Sequence, residues 1–100
     1  MRAPADMDEY IDLVHQAIYE IDELNACIED DTEEMEHYLA FIAPLDSQLR
    51  ELYSDMTNGK YQLSPDTDLP FMAIVRKFGA QIPFKQLLEL INATHRHGFE

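Results

Sequence analysis

MDEYIDLVHQAIYEIDELNACI, residues 7–28, places Tyr10, Val14, Ala17, Ile21, Leu24 and Ile28 at alternating spacings of four and three. That period keeps one apolar stripe on one side of a helix, so the stretch predicts a long amphipathic helix rather than a strand. Asp6 can accept a hydrogen bond from an open amide of the first turn, and the early acids Asp8 and Glu9 suit the positive end of the helix dipole.

Outward from this stripe, Glu29-Asp30-Asp31-Thr32 breaks the pattern and predicts a turn. Asp31, followed three residues later by Glu34, resembles a capping box opening a second helix over 32–57. The same spacing resumes through Met35, Tyr38, Ile42, Leu45, Leu49, Leu52 and Met56, and Asn58-Gly59 is a favourable helix stop. Two helices joined this tightly must run antiparallel. Pro44 falls inside the second one, where it removes an amide donor and crowds the Ala40 carbonyl at a cost of about 3 kcal/mol. The stripe keeps its phase across Pro44, which predicts a kinked but continuous helix.

Each hairpin helix carries more apolar residues than one seam can cover: Ile11, Leu13 and Ile18 on the first, Leu39, Phe41 and Tyr53 on the second. Cover must come from the C-terminal half, where a polar connector over 60–68 leads to short helices expected at 69–78 and 83–97. Their starts match thirteen positions apart: Leu69, Pro70, Phe71, Ile74 and Val75 against Ile82, Pro83, Phe84, Leu87 and Leu88. The expectation is therefore a single all-α domain spanning 1–100, a long antiparallel hairpin with two short helices packed on it.

Charge is distributed unevenly. Residues 1–58 hold sixteen Asp and Glu against two Arg, net −14, whereas residues 59–100 hold four acids against five bases, net +1. An overall charge of −13 repels nucleic-acid phosphates and anionic membranes and attracts basic proteins. A basic protein partner is the expected occupant of the acidic faces, and Glu29, Asp30, Asp31, Glu33, Glu34 and Glu36 are the expected contact residues. The same carboxylates could imitate a phosphate array and block a DNA- or RNA-binding protein. Homodimerisation through leftover apolar surface is a further expectation for so small a core.

Chemistry-bearing patterns are sparse. Asp12-x-x-His15 and Glu34-x-x-His37 have the spacing of carboxylate-bridged metal sites, but His15 and His37 fall off the apolar stripe where such a metal sits. The 29–36 run lacks the central glycine of a calcium loop. His95-Arg96-His97 reads as cationic groups complementing a helix C-terminus. The helix pair around Phe78-Gly79-Ala80-Gln81 invites comparison with a DNA-binding helix-turn-helix, with Arg76, Lys77, Lys85 and Arg96 as its charge, yet Val75 and Lys85 stand where that motif wants a small and an apolar residue. No serine-histidine-acid order or glycine-rich phosphate loop is present, and Cys27 lies among acidic residues, a setting that does not suit a catalytic thiol. No catalytic, cofactor or metal residues are expected, and no enzyme; direct nucleic-acid binding is disfavoured, with a dimeric helix-turn-helix DNA-binding regulator standing as the further alternative to the mimic. The lone Cys27 fits a reducing compartment, and the absence of an apolar leader or spanning run points to the cytoplasm, with no membrane partner.

Overall fold

The computed structural model describes residues 3–30 and 39–99, without the side chains of 28–30 and 39. Helix α1 spans Met7–Asp30 and α2 spans Leu39–Thr57. After an irregular connector come α3, Met72–Phe78, a 3-10 turn over Gly79–Gln81, and α4, Lys85–His97. No strand occurs among the described residues, and no helix is long and apolar enough to cross a membrane. The fold is all-α.

The first helix opens as its sequence dictates: the Glu9 amide donates to Asp6 Oδ1 at 2.9 Å. It continues through Glu29 and Asp30, two residues past the expected stop. The remaining turn signals, and the expected start of the second helix at 32, lie outside the described residues. Helix α2 runs unbroken through Pro44. Both Ala40 and Pro44 lie on its exposed side, where water can replace the donor that proline lacks. Its end forms a Schellman cap: Gly59 takes φ +72°, the Lys60 amide donates to Asp55 O at 2.8 Å, and the Gly59 amide donates to Met56 O at 3.4 Å.

Two pairings fix the direction of the hairpin. His15 packs against the Tyr53 ring at 5.7 Å and Arg50 reaches Asp22 at 2.5 Å, so partners descend on α2 as they ascend on α1. The seam between them is closed by Val14, Ala17, Ile21, Leu45 and Leu49, each with no exposed surface. Leu13 and Ile18, the surplus of the first helix, are also buried, and α4 packs along α1 to supply the expected cover. Phe41 meets Phe78 of α3 at 5.6 Å between ring centres. Burying each such aliphatic or aromatic side chain contributes about 1.5–3 kcal/mol before entropy is counted.

The two short helices start later than expected, at Met72 and Lys85 rather than 69 and 83. A residue before proline is pushed out of the helical region, and Ile82, ahead of Pro83, is extended at φ −89° and ψ 111°. Both starts then close the same way. The Met72 amide donates to Leu69 O and the Val75 amide to Phe71 O, as the Lys85 amide does to Ile82 O and the Leu88 amide to Phe84 O. In each case the flanking apolar residues, Leu69 with Phe71 and Ile82 with Phe84, are buried and the proline is exposed.

Candidate functional site

The expected contact residues are not brought together in what is described. Glu29 and Asp30 end α1 with side chains outside the described set, and Asp31, Glu33, Glu34 and Glu36 lie outside the described residues altogether. What can be placed of the acidic half is the outer stripe of α1, where Asp8, Asp12, His15, Tyr19, Asp22 and Glu23 are exposed. Tyr19 is the most exposed large apolar side chain described, at 56%, and its hydroxyl bonds Glu23 one turn on, which raises its pKa. Cys27 is exposed on the same helix.

Of the five bases in the C-terminal half, all but Lys60 are engaged with described residues of the chain. Asp68 of the connector pairs with Arg76 of α3 and, at 3.4 Å, with Arg96 of α4, while Asn92 Nδ2 donates to it at 3.0 Å. The Asn92 amide first, and Arg76 next, hold its carboxyl below the usual carboxylate range. Asn92 itself is buried and its Oδ1 accepts the Leu69 amide at 2.8 Å, so one side chain fastens the connector to α4. Lys85 lies 3.7 Å from Glu89, and Lys77 sits over the Phe78 ring at 5.3 Å. Of the cations considered for a DNA contact, Arg76 and Arg96 are therefore tied to a carboxylate by tertiary structure.

His95 departs from its sequence reading. Rather than a solvated cation at a helix end it is buried, 7% exposed, and burial lowers its pKa below the ordinary 6.5, partly countered by Asp68. Its Nδ1 lies 2.5 Å from the Tyr61 hydroxyl, which lies 3.2 Å from the Tyr10 hydroxyl, which donates to Ile91 O at 2.8 Å. Each hydroxyl owns one proton, and the Tyr10 proton is committed to Ile91 O. The single Tyr61 proton then goes either to Tyr10, with Nδ1–H donating to Tyr61, or to Nδ1 across the shorter contact. The other ring nitrogen, Nε2, bonds no described residue. Burial likewise raises the pKa of Tyr10 above the ordinary phenol range, and that of Tyr61 less so.

His95 and Tyr61 line a groove of about 580 Å³ between α2, the connector and α4. Gln48, Glu51, Leu52 and Asp55, spaced as one helix face, form its α2 wall. Leu69, Pro70 and Phe71 form the opposite side. Gln48 Oε1 is enclosed there with no hydrogen-bond partner, a condition that costs about 1–3 kcal/mol for a buried acceptor. Sequence reading missed this groove because Tyr61, Asn92 and His95 converge only once the connector has folded back. The available signal was a histidine in phase with Leu88 and Ile91 on the apolar face of α4.

No group of three or more His, Cys, Asp and Glu that could hold a metal ion exists among the described residues. His15 is exposed against Tyr53, and His37 lies outside the described residues. No protein-family model, no curated protein and no solved structure matches this chain.

Proposed function

We propose that the protein is a non-enzymatic interaction module, an adaptor, inhibitor or regulatory subunit, that presents acidic helix faces to a basic protein. One observation supports the reading above others: exposed carboxylates recur along the outside of α1, while Arg50, Arg76, Arg96 and Lys85 each sit against a carboxylate of the same chain. Negative charge is left facing solvent on a rigid rod, and such a surface speeds encounter with a cationic partner and sets its orientation.

The nucleic-acid mimic fits less well. Along the α1 stripe the acids thin out between Asp12 and Asp22, where His15 and Tyr19 stand and the half-buried Glu20 lies to one side. Successive phosphates show no such thinning. The DNA-binding reading loses Arg76 and Arg96 to Asp68. Homodimerisation draws little support from the described surface, whose large exposed apolar side chains are Tyr19 and Leu63.

Affinity capture across a salt series tests the proposal. The expected result is a basic partner released as salt rises and weakened by joint neutralisation of Asp8, Asp12, Asp22 and Glu23, or of Glu29, Asp30, Asp31, Glu33, Glu34 and Glu36. Partners held equally at high salt and by both neutralised variants would contradict it.

A further inference from the structure

We propose that the groove between α2, the connector and α4 is a binding site for an arginine side chain of the basic partner. This inference rests on the interaction-module reading and gives that module a second contact, distinct from the acidic stripe of α1.

The chemistry of the walls selects the occupant. The Glu51 and Asp55 carboxylates and Gln48 Oε1 have no partner among the described residues, and the polar side chains Gln62, Ser64 and Thr67 of the wall are neutral. The one cation on the wall, Lys60, makes no ion pair with a described residue. Two free carboxylates against one ammonium call for a positive ligand, and the unpartnered Gln48 oxygen beside them calls for one rich in donors. Arginine meets both demands. Its guanidinium carries five N–H donors in a plane, is more weakly hydrated than an ammonium, and stacks on aromatic rings such as that of Tyr61.

Shape agrees with charge. Leu52, Leu69 and Phe71 give the groove an apolar lining against which three methylenes can pack while the head meets the polar rim. From Gln48 to Asp55 the α2 wall is about 10 Å long by the helical rise, enough for an extended side chain. The volume lies within the range of ligand-binding clefts. Gln48 supplies the strongest local reason: its enclosed oxygen lacks a donor, and its terminal amide torsion is soft enough to swing toward one.

The test uses the full chain and three fluorescent ten-residue peptides on a glycine-serine background, each with two arginines, two lysines or two glutamines. Anisotropy titrations at low salt give affinities, and amide chemical shifts give the location. The expected result is preferential binding of the arginine peptide, with shifts at Gln48, Asp55, Tyr61 and His95. Gln48→Leu and Asp55→Asn should each weaken it about five-fold, the loss of roughly one hydrogen bond, while Lys60→Gln should tighten it. Gln48→Leu removes no hydrogen bond, so its fold, checked by circular dichroism, should be intact. Arginine-peptide binding that is unchanged in both groove variants, with shifts confined to Asp8, Asp12, Asp22 and Glu23, would overturn the groove and leave the module reading standing. Equal binding of the lysine or glutamine peptide, or weakening by Lys60→Gln, would overturn the choice of arginine. Absence of binding by either cationic peptide would overturn both the inference and the reading beneath it.

Discussion

Val14, Ala17, Ile21, Leu45 and Leu49 meet between α1 and α2 as hydrocarbon on hydrocarbon, whereas the connector lies on α4 through Asn92, His95, Tyr61 and the Tyr10 hydroxyl. The first interface is non-directional. Its strength follows the apolar area removed from water, and any pair of stripes with the right period can build it. The second is directional, because each buried polar group must find one particular partner or forfeit its hydration. A seam of the first kind makes the rod; contacts of the second kind shape one groove at its side.

Breaking each interface at its centre should separate the two. Leu49→Ala leaves a cavity in the seam, where the side chain has no exposed surface, and should destabilise the protein by about 2–5 kcal/mol in urea unfolding. A loss below about 1 kcal/mol would mean that the seam is not the principal core.

Asn92→Leu keeps the branched shape but strips the Leu69 amide of its acceptor and Asp68 of its amide donor, for an expected loss of about 1–3 kcal/mol. Hydrogen exchange should quicken at Leu69 while amides of α1 keep their protection. Uniform quickening across α1 and α2 would show that connector and hairpin open as one unit.

The smallest effect concerns pH. The folded-state pKa of His95 lies below 6.5, so the folded protein binds fewer protons than the unfolded chain. The stabilisation is complete above 6.5 and drains as pH falls through the folded value. Between pH 7.5 and 5.5 the protein should lose more stability than a His95→Gln variant, read as the shift in urea midpoint, and parallel slopes would place His95 in water.

These differences also explain what sequence could disclose. The spacing Tyr10, Val14, Ala17, Ile21, Leu24 is a local pattern that fixes helix, face and partner in one step. Asn58-Gly59 was equally legible, since only a left-handed residue closes a Schellman cap, and Gly59 does so. The starts expected near 69 and 83 fall two or three residues early because each helix is entered through a tighter turn, Met72 N to Leu69 O and Lys85 N to Ile82 O, before the first α-helical bonds form. His95 was misread for a deeper reason. Its neighbour in sequence is Arg96, but its neighbour in space is Tyr61, and only the returning connector, held where the Ser64 amide donates to His95 O, decides between water and core. The acidic residues at 31–36 lie outside the described residues, so that part of the expected contact surface has no structural counterpart.

The Tyr10 hydroxyl donates to a carbonyl that lies 81 positions further along the chain. During synthesis the paired rods of the hairpin can associate as soon as both have emerged, but the innermost tyrosine then points a bare hydroxyl at the space where the final helix has yet to arrive. That one bond ties the first turn of α1 to the last helix across nearly the whole chain, and a chain lacking residues 85–97 would leave the hydroxyl without its acceptor.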